Sequence, residues 1–427
     1  MMRKTVKVIA LALVASIAFA GAIAAQGKQD VKIKVYTRWS GDDPLATYFR
    51  QKVKEFNELK KGIVVENENI ANEDSYLDKL RTGFATGTPP NVFIEYGGSR
   101  ILDYVASGAL VDLKPYLEKD KKWSDSYLPF FEAWTYKDHP GIYGAPQVAY
   151  AVELFYNKAT FAKLGLKPPK TLDELRGVCD KLVKSGYTAF QLGEKDSWRG
   201  GHFLNNLVIK SFGPEGVQKL AARTMAYDGP EMTKLYSIIK EFNDKGYFGN
   251  NAVGVDNNAE NTAFTTGKSA LEFNGSWFLG DIEAANFADK VGVVPFPTID
   301  PKYAACAQGG SADGWSVSKT KDPAQIEASV EFIKFISSPD YFKGLEKTMK
   351  GGMYPVKFTS DPTVASALTR DFVANLKGVT SFTTDIQNYD SASHMLETVR
   401  LAVQGLFIGK SPADCGKEIV EQIKAGE

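Results

Sequence analysis

The chain has 427 residues, 44% hydrophobic and 24% charged, an ordinary globular composition with enough apolar material for two cores. Lys plus Arg and Asp plus Glu balance at 51 each, which argues against a nucleic-acid partner or an anionic membrane surface. The three cysteines, Cys179, Cys306 and Cys415, lie far apart and are odd in number, so stability cannot rest on a disulfide framework and buried free thiols are expected.

Residues 1–25 read as a secretory signal peptide: Arg3, Lys4 and Lys7 precede an apolar run from Val8 to Ala20, with small residues around Ala22 and Ala24. The run is short for a permanent bilayer span, and no Cys follows it that could carry a lipid anchor. Removing three cations leaves 51 minus 3, or 48, against 51 acidic groups, a net charge of −3. The expectation is export to the periplasm.

"KIKVYTRWSGDD" opens as a strand alternating Ile33 and Val35, then a polar loop with Arg38, Trp39 and Ser40. Asp43 suits a helix N-cap with Pro44 at the first helical position, and Ala46, Phe49, Val53 and Phe56 follow at helical spacing. "GIVVENEN" reads as the next strand, Asp74 as the start of a helix carrying Tyr76, Leu77, Leu80 and Phe84, and "NVFIEYGG" as a strand ending at Glu95 and Tyr96. A second unit begins near Ala151–Tyr156, with a capping box at Thr171–Glu174. Helices over "GHFLNNLVIKSFG" and "PEMTKLYSIIKEFNDKG" follow, then the strand and turn "LEFNGSWF". "VGVVP" and "GWSVSK" read as strands, and Asp322-Pro323 opens a helix through Ile336. Alternating strands and helices imply two α/β lobes with mostly parallel sheets, and ligands in such sheets collect beyond the strands' carboxyl ends.

"TPPNVFIEYGGSRILDYVASGALVDLKPYL", "YAVELFYNKATFAKLGLKPPKTLDEL", "FTTGKSALEFNGSW", "VGVVPFP" and "GGSADGWSVSKTKDPAQIEASVEFIKFISSPD" occur in that order. Together they resemble the sugar-type extracellular solute-binding proteins of ABC importers, the group containing the maltose-binding proteins. The resemblance implies a two-lobe periplasmic-binding-protein fold, the Venus flytrap, with a three-segment hinge. Carried onto this chain, residues 26–147 and 298–350 form lobe 1, and residues 148–297 and 351–427 form lobe 2. The crossings fall near Val148-Ala149-Tyr150, Pro295–Thr298 and Gly351-Gly352. It further implies a sugar ligand, permease subunits as partners, no cofactor, no metal and a monomer.

A sugar offers C–H groups on its ring face and hydroxyls at its edge, so its site needs an aromatic platform plus charged or amide partners. Trp277, on the turn after "LEFNG", stands where the family places that aromatic, with Asn274 beside it. Trp198 and Arg199 lie in a glycine-rich loop. Arg38, Trp39, Ser40 and Asp43 belong to the first-lobe loop, and Glu95 and Tyr96 to a strand end. Gly310, Ser311, Asp313 and Trp315 occupy the returning loop, Tyr354 follows the third crossing, and Asn388-Tyr389-Asp390 is a weaker candidate. Each has a bland alternative: an indole packed as core, a helix cap, an ordinary turn.

"RWSGDD" and "IEYGGSR" depart from the charged clamp of the maltose-binding proteins, so the particular ligand does not transfer; a neutral mono- to trisaccharide is expected. The rivals are a secreted glycoside hydrolase using a carboxylate pair such as Glu95 and Asp313, the same fold binding a polyamine, peptide or metal complex, and a sensor subunit. Three histidines with no HExxH or CxxC spacing argue against metal catalysis.

Overall fold

The computed structural model describes residues 30–426 apart from Ser40, Asp42, Asp43, Lys60, Lys61, Pro129, Ser360, Ser391 and Ser393; the signal-peptide, Ser40 and Asp43 readings lie outside the described residues. The chain runs β1 (Val31–Thr37), α1 (Pro44–Glu58), β2 (Ile63–Asn69), α2 (Glu73–Ala85), β3 (Val92–Glu95) and α3 (Ser99–Ala106). After two short helices, α4 (Lys114–Lys119) and α5 (Lys121–Ser124), come β4 (Ala145–Pro146) and β5 (Ala149–Asn157). Five helices follow: α6 (Lys158–Leu164), α7 (Leu172–Lys184), α8 (Trp198–Ala221), α9 (Pro230–Asp244) and α10 (Asn257–Thr265). Next are β6 (Leu271–Gly275), α11 (Phe278–Ala284), β7 (Val291–Pro295), β8 (Cys306–Ser311) and β9 (Gly314–Val317). The chain closes with α12 (Pro323–Ile336), α13 (Pro339–Met349), α14 (Ala367–Asn375), β10 (Ser381–Thr383), α15 (Met395–Phe407) and α16 (Pro412–Gly426).

Local chemistry sets many of the boundaries. α2 begins at Glu73, one residue before the expected start, and Asn72 caps it by accepting from Ser75 N–H at 2.8 Å. Thr171 accepts from Glu174 N–H, and Asp322 caps α12 with Pro323 at its first position. The helix read from "GHFLNNLVIKSFG" extends to Ala221 across a break at Gly213 (φ +63°) and Pro214.

The strands form two five-stranded sheets, ordered β2-β1-β3-β9-β4 in the first unit and β10-β8-β5-β6, with β7 also on β5, in the second. One core fills the first unit, including Phe49, Phe56, Phe93, Trp315 and Phe332. The second sheet is buried on both faces: Tyr150, Val152 and Leu154 of β5 enter one core, and Ala151 and Phe155 the other. Cys179, Cys306 and Cys415 are free and buried.

The strand directions and two of the crossings differ from the sequence reading. The sheets are mixed rather than mostly parallel: β5 runs antiparallel to β6, β7 and β8, and β9 runs antiparallel to β3 and β4. The cause is that β4–β5 carries the chain out of the first unit and β8–β9 brings it back alongside, in the opposite direction. Consequently residues 306–311, assigned to lobe 1 from the sequence, belong to the second sheet, and the return falls at Ala312-Asp313 rather than near Pro295–Thr298.

The third passage is also later than expected. Gly351 and Gly352 (φ +125° and +130°) lie where Met353 packs on the second unit and Tyr354 on the first. Residues 355–357 still bond to the first unit through Leu128 N–H and Ser126 C=O, and the chain reaches the second at α14.

Trp315, a candidate ligand contact from the sequence, is fully buried; its ring stacks on Phe49 at 5.3 Å and its indole N–H donates to Gln147. Trp315→Ala is therefore expected to lower the unfolding free energy by about 3–5 kcal/mol in urea denaturation. A loss near zero would place the indole outside the core.

Candidate functional site

β6 is buried throughout and ends at Asn274-Gly275, where the chain turns and Trp277 stands at the N-cap of α11. A β-carbon at Gly275 would lie 2.2 Å from the Trp277 ring, so only glycine lets the indole lie back over the turn. Trp277 keeps 39% of its surface exposed, the largest aromatic to do so among the described residues. Three rings border it: Tyr150 of β5 at 5.6 Å, and Trp198 and His202 of α8 at 6.2 and 6.0 Å. Trp198 and His202 meet edge-on at 5.0 Å, so the four rings form an aromatic corner.

A polar cluster adjoins the corner. Asp385 accepts from Arg400 at 2.7 Å, Asn205 at 2.8 Å and Gln308 at 3.0 Å, with His202 Nε2 at 3.3 Å. Burial opposes ionisation of Asp385, and His202 and Arg400 overcome it and hold the carboxyl below its ordinary value. Burial depresses His202 to about 4, so its imidazole is neutral at physiological pH. Burial, with Asp385 nearby, raises the Tyr150 hydroxyl well above its usual range.

Beneath the corner lies a layer of buried charge. Arg199, 0% exposed, donates twice to Glu260 at 2.9 Å, to Glu272 at 2.6 Å and to the Phe273 carbonyl, while its guanidinium faces the Trp198 ring at 4.8 Å. Glu194 accepts from Gly200 N–H at 2.5 Å. Three carboxyls thus surround one guanidinium. Burial, reinforced by Glu260, holds Glu272 well above the carboxylate range, and burial pushes Glu194 up to about 8.

On the first unit, Arg38 after β1 donates to Glu95 at the end of β3 at 3.0 Å and to Asp313, and it lies 4.2 Å from the Tyr96 ring centroid. Arg100 lies 5.5 Å from the Tyr96 ring centroid and donates to Glu73. The Glu132 carboxylate lies over Gly310, 2.6 Å from where a β-carbon would be, and burial raises its pKa. The two units meet at Gly98, where a β-carbon would come within 2.7 Å of Asn388.

The structure therefore gathers Arg38, Glu95, Tyr96 and Asp313 on one unit and Trp198 and Trp277 on the other. Glu95, 1% exposed, is buried behind Arg38, and Gly310 is buried beneath Glu132. Four more expected contacts are also buried. Arg199 is consumed by its carboxylates, and Asn274 (0% exposed) bonds to Asn261, Glu272 and Gly275 N–H. Trp315 is core, and Ser311 accepts from the Trp134 indole inside the strand pair. Trp39 packs edge-on against Phe49 and Trp315, and Tyr354 packs on Phe342 and Phe358 and donates to the Gly351 carbonyl. Asn388 meets Gly98, Tyr389 accepts from Thr384 N–H, and Asp390 pairs with Arg223. His202, Gln308, Asp385 and Arg400 escaped sequence reasoning: they come from three distant segments and sit in no local motif.

Comparison with known proteins identifies the architecture. A family model described as bacterial extracellular solute-binding protein matches residues 42–341. The chain belongs to this family. Among curated relatives, the multiple sugar-binding protein of Streptococcus mutans is 26% identical over 213 residues, 48% of this chain and 49% of that protein. The sn-glycerol-3-phosphate-binding periplasmic protein UgpB of Escherichia coli (strain K12) is 29% identical over 216 residues, 48% of this chain and 46% of that protein. The chain thus spans about half the length of the curated relatives it matches. Among solved structures, a chitin oligosaccharide binding protein superposes with a TM-score of 0.84 at 23% identity, covering 93% of this chain and 99% of that one. A binding protein, RafE, solved in complex with raffinose gives 0.74 at 18%, covering 93% and 99%. The fold is the two-lobe solute-binding fold of this family. Among the described residues no helix is long and apolar enough to cross a membrane.

The raised carboxyls give a pH test. Glu194 binds its proton more tightly folded than unfolded, so the stability it contributes is full below its unfolded value of 4.5 and is lost as pH rises through about 8. Unfolding free energy is expected to fall as pH rises from about 6.5 to 8, by on the order of 1 kcal/mol per unit. Glu194→Gln should flatten the decline in denaturant titrations; an unchanged slope would mean that Glu194 is ionised in the folded protein.

Proposed function

We propose that this protein is the exported capture component of an ABC importer, that its ligand is a neutral mono- or oligosaccharide held between the lobes, and that the closed form delivers it to permease subunits. The observation that carries the ligand class is the exposed Trp277 indole beside a charge-compensated polar cluster. A sugar ring laid on the indole has its hydroxyl edge toward Asp385 and Arg400, which His202 joins to Trp277 and which can make charge-assisted hydrogen bonds. Arg38, Arg100, Arg199 and Arg400 each already face a carboxylate, so a phosphate ester would have to break an ion pair to gain a cation. That favours a neutral ligand over the anionic one named for the Escherichia coli relative.

The lobes close because only the closed state lets Trp277 and Trp198 on one side and Arg38, Tyr96 and Asp313 on the other touch the same ligand, with Glu95 holding Arg38 from behind. The protein acts as a monomer in the periplasm, and ATP is hydrolysed on another polypeptide.

The test is a thermal-shift screen of the purified protein against mono- and oligosaccharides, glycerol phosphate, polyamines and peptides. A ligand at 100 times its Kd stabilises the folded state by about 2.7 kcal/mol, a readable shift. A shift from neutral sugars alone is the expected result, and a shift from glycerol phosphate or a polyamine instead would overturn the ligand class. Trp277→Ala is expected to weaken sugar binding by roughly 1–3 kcal/mol. Unchanged affinity with lowered stability would return Trp277 to the core.

A further inference from the structure

Two buried ionisable side chains that the cleft does not use face a single cavity in the second sheet. β7 and β8 both pair with the edge of β5 opposite β6, β7 along Glu153–Asn157 and β8 along Ala149–Ala151. The sheet therefore has an opening beside Val152, where the chain detours between the two strands. A cavity of about 300 Å³ occupies it, bounded by Val152 and Glu153 of β5, Asn206 and Lys210 of α8, Phe296 and Asn375.

Glu153 is 2% exposed and accepts from Asn375 Nδ2 at 2.8 Å. Lys210 is also 2% exposed and donates to the Ala304 carbonyl at 2.8 Å, using one of its three protons. No ion pair joins the two among the described residues, although both line the same space. Asn206 points its amide at His202 C=O and Gln308, while its Oδ1, buried in the same wall, has no partner. Burial pushes Glu153 up to about 8 and Lys210 down to about 8, as befits opposite charges each held in a mostly apolar wall. A buried charge without a counter-ion is costly, and a bound partner that supplies one relieves that cost.

We propose that this opening is a second ligand site, separate from the interlobe cleft, that takes a small zwitterion of the α-amino acid class. The ligand's ammonium donates to the Glu153 carboxylate. Its carboxylate accepts from the remaining Lys210 protons, and a short apolar side chain packs on Val152 and Phe296. The cavity volume limits the ligand to small members of the class. The site is independent of the sugar reading, because no residue of the aromatic corner lines it.

The test is calorimetric titration of the purified protein with glycine, alanine, proline and valine, with propionate and ethylamine as single-charge probes. One-site binding of at least one amino acid is expected, at least about tenfold tighter than either single-charge probe. Trp277→Ala should leave it unchanged, whereas Glu153→Gln and Lys210→Met, checked for folding by circular dichroism, should each weaken it at least about tenfold. Absence of binding by all four at millimolar concentration would overturn the proposal. So would binding that survives both substitutions, or binding lost in Trp277→Ala, which would put the amino acid in the cleft. Should Lys210→Met fail to fold, the isosteric Glu153→Gln decides alone.

Discussion

The antiparallel strand pair formed by residues 145–151 and 309–317 is the constraint on which the rest of the molecule depends. It begins as β4 on β9 in the first sheet and continues as β5 on β8 in the second, so both sheets grow from one ribbon. At its middle the Asp313 carbonyl accepts from Gln147 and Val148 N–H at 2.8 and 3.0 Å, and the Asp313 carboxylate holds Arg38. Tyr150, two residues beyond Val148, already borders Trp277. The hinge and the edges of both candidate walls are thus contiguous residues. A small rotation of the ribbon changes how the two walls face each other, which is the economy expected of hinge closure.

Buried charge fixes the second wall. Placing Arg199 under Trp198 demands strong compensation, because an uncompensated guanidinium in the interior costs several kcal/mol. Glu260 and Glu272 supply it, and Phe273 C=O ties the guanidinium to the strand that ends at the Trp277 turn. The indoles are therefore carried on a layer whose rotamers are set by hydrogen bonds, and a platform held in place loses little freedom when a ligand lands on it. The same layer holds more carboxyls than cations, and that excess makes the region sensitive to pH above neutrality.

Much of the fold is legible in the sequence because local signals agree with it: the alternation of β1, the spacing of Phe49, Val53 and Phe56, and the caps at Thr171 and Asp322. Trp277 stands out because a large exposed ring following Asn-Gly at a strand end has no local structural need. Strand direction is not legible, since it depends on where the chain passes between the units; hence the mixed sheets and the late return at Ala312-Asp313. Arg199 and Trp315 show the limit on side chains. A charged residue beside a loop tryptophan reads as a ligand contact, and only three-dimensional burial reveals Glu260 and Glu272 around it. Asp385, in the loop after β10, and Arg400 of α15 lie nearly 200 residues from His202 in sequence, a juxtaposition that no periodicity encodes.

The most direct measurement is a crystal structure of the protein grown with the neutral sugar that stabilises it most. The account predicts one sugar ring lying on the Trp277 indole, its hydroxyls bonded to the Asp385–Arg400 cluster, with the Arg38–Glu95 and Arg38–Asp313 pairs intact on the opposite wall. A sugar bound away from Trp277, or an anion seated on Arg38 or Arg400 with those pairs broken, would contradict it.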